Sequence, residues 1–249
     1  MPNGVGAFFF EVCDSTNARA ATLAIAGEPG PLWVVAGEQS AGRGRRGRSW
    51  TSKTGNLYAS LMFRPHIRPQ DLAALPFIVA LAVRDTFLAF GAPESHVQCK
   101  WPNDILIGER KASGVLIESS AKHGGMLDYV IIGIGMNLVH FPDDAAFGAT
   151  SLLHVTGQEV SVKDAATVLA EKLYARIDAW KVDDFRSVAE EWTRYSWGLG
   201  QSRELRTHDE TFTATLLGLS DDGALIARLD DGLEKRLYAG DVFPVERAD

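Results

Sequence analysis

Cysteine is scarce in this sequence, and its scarcity excludes two kinds of stabilising site. Cys13 and Cys99 are the two cysteines among 249 residues, they form no CxxC pair, and the six histidines do not cluster with them. A structural zinc site therefore lacks a ligand set. A chain of this length also buries enough surface to fold without disulfides. Few cysteines and no secretory leader predict a cytoplasmic protein.

Long apolar runs and an excess of positive charge are also missing. The longest apolar stretch, about 72–90, contains Pro76, Arg84 and Asp85, so it predicts a buried helix rather than a membrane span. The formal net charge is −7, whereas a general nucleic-acid-binding domain is usually basic. We therefore expect neither a membrane nor nucleic acid as a partner.

The pattern of strands and helices predicts an α+β fold with a small β appendage. Alternating or apolar segments predict strands near 7–13, 32–38, 56–63, 97–101, 105–108, 112–118 and 129–136. Helices are predicted up to Ala26 and over 70–90, 162–180 and 185–195. Beyond Gly200, two Asp-Asp-Gly turns separate three short strands, which is typical of a small barrel. We place a domain boundary near residue 202, giving domains 1–202 and 203–249.

One local segment is strongly basic. Residues 42–47 match the pattern G-x-G-x-x-G, and four arginines lie within 43–48. A dinucleotide-binding turn needs a helix after this pattern, but the sequence continues into a strand. Glycines let a loop approach a ligand closely, and arginine forks match carboxylates and phosphates. The segment predicts a loop for a small polyanion that is mobile when empty, and a solvated basic loop or an RNA tether remains open as an alternative.

Three further segments place polar groups at the ends of apolar strands. They read Lys-Trp-Pro-Asn-Asp at 100–104, Lys-x-x-Gly-x-Leu-x-Glu at 111–118 and Gly-Ile-Gly-x-Asn at 133–137. The first offers a cation, an amide and a carboxylate, a set that can hold phosphates together with Mg²⁺. Glycine inside a strand often marks a ligand or backbone passing close by. Taken singly, each segment is equally consistent with a structural turn.

Together, in this order and spacing, the motifs resemble those of the biotin protein ligases. The string Gly-Arg-Gly-Arg-Arg-Gly-Arg-Ser-Trp at 42–50 and the three later segments carry the resemblance, and Ser15-Thr16-Asn17 matches the start of that family's catalytic domain. The resemblance covers essentially the whole chain. It implies a mixed β-sheet flanked by helices and a C-terminal SH3-like barrel. It also implies the monofunctional type, without an N-terminal DNA-binding domain.

The resemblance further implies substrates, a partner and a set of site residues. Biotin and ATP with Mg²⁺ would form biotinyl-5′-AMP, and the acceptor would be a lysine of a biotin carboxyl carrier domain. The implied catalytic residues are Lys111, Arg45 and Asp104. The implied biotin-binding residues are Ser15, Thr16, Asn17, Gln39, Arg43, Gly44, Arg45, Lys111, Gly114 and Leu116. The implied ATP-binding residues are Arg43, Arg45, Arg46, Arg48, Trp50, Lys100, Asn103, Lys111 and Asn137. The implied metal ligands are Asp104 and Asn103.

Within these sets the resemblance implies individual roles. Lys111 would bridge the biotin carboxylate and the α-phosphate, Trp50 would stack on adenine, and Asn137 would read the adenine edge. A lipoate ligase or octanoyltransferase is the nearest enzymatic alternative, and an RNA-binding protein is an alternative of another class. A homodimer is also open, although the sequence carries no interface signature.

Overall fold

Seven strands form the main sheet of the molecule. The computed structural model describes residues 4–122, 124–143, 145, 147–180 and 184–245. The strands are β1 (Gly6–Cys13), β2 (Leu32–Gln39), β3 (Leu57–Phe63), β4 (Val97–Lys100), β5 (Asp104–Ile107), β6 (Arg110–Ala121) and β7 (Leu127–Met136). Their order is β1-β2-β3-β7-β6-β5-β4. β1 and β2 are parallel and the other pairs are antiparallel, which confirms the predicted mixed sheet.

Helices cover both faces of this sheet. They are α1 (Thr16–Ile25), α2 (Leu75–Ala89), α3 (Leu152–Thr156), α4 (Val162–Ala179) and α5 (Phe185–Arg194). α1 closes a small core with Val34 and Ile131 on one face. α2 and α4 pack on the other face over a larger core that includes Trp33 and Val35. A strand covered on both faces needs apolar residues at every position, which explains the continuous apolar run of β2.

The apolar segment predicted as a buried helix lies in the core. Residues Pro69–Ala89 are long and apolar enough to cross a membrane by composition, but 67% of the apolar window is buried inside the protein. The prediction is confirmed, with a 3₁₀ turn over Pro69–Ala74 before α2. α4 is capped at its N-terminus by Ser161, whose hydroxyl accepts a hydrogen bond from the Asp164 amide at 3.0 Å. Helix α3 was not predicted, because five residues are too few to show a period.

The C-terminal segment forms a second, antiparallel sheet. Its strands are β8 (Ser202–Arg206), β9 (Thr211–Leu219), β10 (Leu225–Arg228), β11 (Glu234–Leu237) and β12 (Asp241–Phe243). Their order is β11-β10-β9-β8-β12, and the two Asp-Asp-Gly turns form the predicted hairpins. The predicted C-terminal β module is confirmed as an antiparallel sheet, and within the described part of the chain its edge strands β11 and β12 do not pair, so the barrel is not closed. β12 is three residues long and its Asp241 binds the basic loop instead. The division near residue 202 is retained as a proposal.

Candidate functional site

The predicted site residues converge on two adjoining cavities. All ten residues predicted to bind biotin line the first cavity, which we call the acid lobe. The second, the nucleotide lobe, is lined by five of the predicted ATP-binding residues: Arg48, Trp50, Lys100, Lys111 and Asn137. The lobes share five lining residues: Arg48, Ser49, Trp50, Asp104 and Lys111. Their volumes, counted with the open mouths, are about 710 and 1350 Å³, so the larger ligand fits the nucleotide lobe.

The floor of the acid lobe is built by the first turn of α1. Gln39 Oε1 accepts hydrogen bonds from the Thr16 amide at 2.8 Å and the Thr16 hydroxyl at 3.2 Å. Gln39 therefore caps the helix in place of Ser15, whose side chain makes no capping bond. Ser15 is 4% exposed, and no hydrogen bond to its hydroxyl is found among the described residues. That hydroxyl is available to a polar head group.

Asn17 is held by the protein on every side. Its Nδ2 donates to Glu118 Oε2 at 2.7 Å and to the Leu116 carbonyl at 3.3 Å, and its Oδ1 accepts from the Ser60 hydroxyl at 2.6 Å. Gly133 lies directly beneath it, where a Cβ would overlap the amide. Both amide protons are engaged, so Asn17 shapes the lobe without a free donor to offer a ligand.

The basic segment folds as a tight hairpin, which we call the arginine loop (residues 42–50). The Trp50 amide donates a hydrogen bond to the Gly42 carbonyl at 2.9 Å. Arg43 and Ser49 form an isolated antiparallel β-bridge. A 3₁₀ turn spans Arg45–Gly47, and Arg46 adopts a left-handed φ of 55°. The loop thus brings both of its ends back to the sheet.

Each arginine of the loop contacts a protein acceptor. Arg43 pairs with Glu118 at 2.9 Å, and Arg45 Nη1 donates to Asn103 Oδ1 at 3.2 Å. Arg46 and Arg48 pair with the two oxygens of Asp241 at 3.3 and 3.1 Å. Burial lowers the pKa of Arg45. Arg46 lines neither lobe, and its contact with ATP stays a prediction.

Two lysines and one carboxylate lie where the lobes meet. Lys111 Nζ is 2.6 Å from Asp104 Oδ1, and Lys100 Nζ is 3.9 Å from Asp104 Oδ2. Burial acts to raise the pKa of Asp104, but Lys111 and Lys100 together hold it below its ordinary value, so the group is ionised at neutral pH. Burial lowers the pKa of Lys100, which lies 4.6 Å from the Phe147 ring centre and 5.6 Å from that of Phe243.

Trp50 lies against the strand glycines. A Cβ at Gly135 would come within 2.6 Å of the indole, and one at Gly114 within 3.0 Å. Lys111 Nζ is 5.2 Å from the ring centre. The indole Nε1 is buried, with no acceptor among the described residues. The absence of side chains at Gly114 and Gly135 therefore leaves space for the Trp50 indole at the junction of the two lobes. The stacking of Trp50 on adenine stays a prediction.

Two of the predicted ligand contacts are already occupied by the protein. Asn137 Nδ2 donates to the carbonyls of Lys111 at 3.4 Å and Thr150 at 3.1 Å, so both of its protons are used. Asn103 Oδ1, the oxygen predicted to bind Mg²⁺, accepts from Arg45. Within the described ranges no cluster of three or more His, Cys, Asp or Glu could hold a metal ion. The adenine role of Asn137 and the metal role of Asn103 remain predictions.

Sequence reasoning missed the residues that other elements bring to the nucleotide lobe. Phe147 comes from the segment after β7, and Asp241 and Phe243 come from β12. No local signal marks the last two, because the C-terminal sheet meets the arginine loop only in the folded chain. A third, largely apolar cleft lies between the two sheets and reaches Arg45 and Asn103; Trp101 and Tyr238 also line it.

Comparison with known proteins agrees with this geometry. Residues 9–137 match the biotin/lipoate A/B protein ligase family, and residues 198–243 match the biotin protein ligase C-terminal domain. This chain belongs to the biotin protein ligase family. The C-terminal match is to a domain described for biotin protein ligases specifically.

Named relatives cover nearly the full chain. A biotin–[acetyl-CoA-carboxylase] ligase of Paracoccus denitrificans is 37% identical over 238 residues, which are 92% of this chain and 97% of the relative. The biotin protein ligase of Aquifex aeolicus, solved with biotin and ATP, superposes with a TM-score of 0.80 at 27% identity, covering 95% and 97% of the two chains. The Leishmania major ligase, solved with biotinyl-5-AMP, gives 0.68 at 28% identity, covering 96% and 100%.

Proposed function

We propose that this protein is a biotin protein ligase that acts in two steps. The biotin carboxylate attacks the α-phosphorus of MgATP, pyrophosphate leaves, and biotinyl-5′-AMP forms. A lysine amine of a biotin carboxyl carrier domain then attacks the activated carbonyl, and AMP leaves with formation of an amide. One observation carries the proposal: the acid lobe and the nucleotide lobe meet at Lys111 and Asp104.

Lys111 and Arg45 stabilise the charge of the first step. A carboxylate and a triphosphate repel one another, so fixed cations at the reacting oxygens supply most of the catalysis. Lys111 lines both lobes, and Arg45 lines the acid lobe. Lys111 bridges the carboxylate and the α-phosphate, while Arg43, Arg45 and Arg48 clamp the anions. Asn103 and Asp241, the present partners of Arg45 and Arg48, can be replaced by phosphate oxygens.

The acid lobe recognises the ureido ring of biotin. Ser15 offers a free hydroxyl, and Thr16 and Gln39 form a preset hydrogen-bonded pair beside it. A site built to pair with a polar head group rejects ligands that lack it, because its buried groups are left unpaired. Backbone at Gly114 and Leu116 completes the lobe. Lipoate lacks such a head group, which supports biotin as the acid.

Mg²⁺ would neutralise phosphate charge in the nucleotide lobe, and Asp104 is the residue placed to hold it. Among the described residues, Asp104 is the one carboxylate that lines both lobes, and it is paired with Lys111. Mg²⁺ commonly takes one or two carboxylates together with phosphate oxygens and water. Asp104 is the protein ligand in this proposal, and Asn103 holds Arg45.

In the second step, Asp104 receives the acceptor lysine. A free lysine has a pKa of about 10.4 and is mostly protonated at neutral pH. An ionised carboxylate can orient the ammonium and accept its proton through the reaction. The cleft between the two sheets reaches Arg45 and Asn103, and it offers the acceptor a route to the mixed anhydride.

Transfer to a carrier domain tests the proposed function. The protein is incubated with MgATP, an apo carrier domain and either biotin, lipoate or octanoate, and the carrier's intact mass is followed. We expect biotin alone to be attached, at one lysine. Attachment of lipoate or octanoate instead would assign the chain to the other enzymes of the family.

Asp104→Ala tests the transfer role on its own. Supplied with preformed biotinyl-5′-AMP, this variant should biotinylate the carrier about 100-fold more slowly, in the range of a lost acid–base group. Asp231→Ala, in an exposed hairpin turn, is the matched control. Transfer at the wild-type rate by Asp104→Ala would exclude Asp104 as base or orienting group.

A cytoplasmic location and the absence of nucleic acid among the partners belong to the proposal. The net charge of −7 supports the absence of nucleic acid, and the low number of cysteines supports the location. The four loop arginines contact Glu118, Asn103 and Asp241 instead of standing free as an RNA tether. A homodimer stays a prediction.

A further inference from the structure

A single carboxylate oxygen, Glu118 Oε2, accepts hydrogen bonds from two residues that line the acid lobe. Glu118 Oε2 accepts from Asn17 Nδ2 at 2.7 Å and from Arg43 Nη2 at 2.9 Å. Asn17 and Arg43 both line the acid lobe, whereas Glu118 does not. Asn17 belongs to α1 and Arg43 to the arginine loop. Glu118, in β6, therefore connects two separate elements.

The two contacts constrain their partners differently. Asn17 is buried, and its Oδ1 already accepts from Ser60, so the bond to Glu118 fixes which way the amide faces. Arg43 is about half exposed, with 48% of its side chain accessible, and Glu118 is its one ion-pair partner among the described residues. Without Glu118, the Arg43 guanidinium would lose the ion pair that restricts its position. A guanidinium that is already held in place loses less conformational freedom when it binds a carboxylate.

A chain of hydrogen bonds connects Asn17 to Trp50 at the end of the arginine loop. Ser60 links Asn17 to Thr16, Thr16 bonds Gln39, and Gln39 Nε2 donates to the Ser52 hydroxyl at 2.9 Å. Ser52 in turn donates to the Trp50 carbonyl at 3.0 Å. Arg43, near the start of the arginine loop, and Trp50, at its end, are therefore both linked by hydrogen bonds to the floor of the acid lobe.

We propose that Glu118 is a positioning residue that sets the affinity of the acid lobe for its carboxylic acid by aligning Arg43 with the floor. This inference rests on the proposed function, because that function names the acid as biotin. Glu118 lines neither lobe, and it acts through Arg43 and Asn17.

Two substitutions separate its contacts. Glu118→Gln keeps an acceptor for Asn17 but removes the charge that pairs with Arg43, and Glu118→Ala removes both. We expect biotin to bind about threefold more weakly to Glu118→Gln, the scale of a half-exposed ion pair. Glu118→Ala should lose about tenfold, since the Asn17 hydrogen bond is lost as well.

Titration calorimetry with biotin provides the test, and a double-mutant cycle with Arg43→Gln makes it specific. If Glu118 acts through Arg43, adding Glu118→Gln to the Arg43→Gln variant should weaken biotin binding by less than the threefold loss that Glu118→Gln causes in the wild-type protein. Glu234→Gln, which breaks an exposed pair with Arg228 also measured at 2.9 Å, is the matched control and should bind biotin normally. Melting temperatures identify any variant that fails to fold.

The outcomes separate this inference from the proposed function. Unchanged biotin affinity in Glu118→Gln, or an equal loss with and without Arg43, would overturn the positioning role. Wild-type protein that binds biotin but forms no adenylate would refute the proposed reaction and leave the binding test of Glu118 in force. Wild-type protein that does not bind biotin would overturn both.

Discussion

At the scale of single residues, the strand glycines show what sequence can and cannot predict. A glycine inside a buried strand indicates that something passes close by, and this interpretation of Gly114 and Gly135 is consistent with the structure. The passing group could not be named from the sequence, because Trp50 and Asn17 lie far away in the chain. The structure places Trp50 over Gly114 and Gly135, and Asn17 over Gly133.

Gly133→Ala tests the closest of these contacts. The added Cβ overlaps the amide of buried Asn17, which must give up hydrogen bonds to move. We expect a loss of about 1–3 kcal/mol in the free energy of unfolding, from overpacking and an unsatisfied amide. Urea titration measures it. Gly6→Ala, on an open stretch of β1, is the control, and a Gly133→Ala variant as stable as that control would refute the contact.

At the scale of elements, most strands and helices were predictable and three short elements were not. The long strands and helices were predicted within a few residues, since burial imposes their period. Four-residue strands beside a marked turn, such as β10 and β11, were also predicted, but strands β8 and β12 and helix α3 were missed. The arginine loop was predicted from composition, but its partners Glu118, Asn103 and Asp241 belong to other elements. Its mobility when empty stays a prediction.

Arg45→Gly tests the loop as a shield over the mixed anhydride. Arg45 reaches from the loop to Asn103 at the edge of the acid lobe. Losing one or two charge-assisted hydrogen bonds should speed release of biotinyl-5′-AMP by about 10- to 100-fold. Released adenylate should then biotinylate bystander proteins, which a streptavidin blot detects.

Arg46→Gly is the comparison for that experiment. It removes the same charge from the same loop, but Arg46 lines neither lobe and glycine readily adopts its φ of 55°. We expect much less bystander labelling from it. Labelling confined to the carrier domain in Arg45→Gly would contradict the shielding role.

At the scale of the whole molecule, the C-terminal sheet contributes to the candidate site. The sequence predicted a β module but no role for it, because its contacts with the catalytic sheet span most of the chain. Asp241 pairs with Arg46 and Arg48, and Phe243 lines the nucleotide lobe beside Lys100. The module therefore fixes the arginine loop at the mouth of the nucleotide lobe.

Asp241→Asn tests this contact without relying on activity. Two ion pairs worth about 0.2–1 kcal/mol each hold the loop to β12, so their loss should expose the loop's four arginines. Limited trypsin digestion should cut within 43–48 roughly two- to tenfold faster than in the wild type. Asp231→Asn, whose carboxylate caps a hairpin turn, serves as control. Equal cleavage of all three proteins would show that the C-terminal sheet does not restrain the loop.

The most direct test of the central claim is exchange of labelled pyrophosphate into ATP with no carrier present. Purified wild-type protein and Mg²⁺ are supplied in turn with biotin, lipoate, octanoate or no acid. We predict exchange that requires biotin and is lost in Lys111→Met, because the two lobes meet at this lysine. Folded protein that supports no exchange with any of the three acids would contradict adenylation at this site.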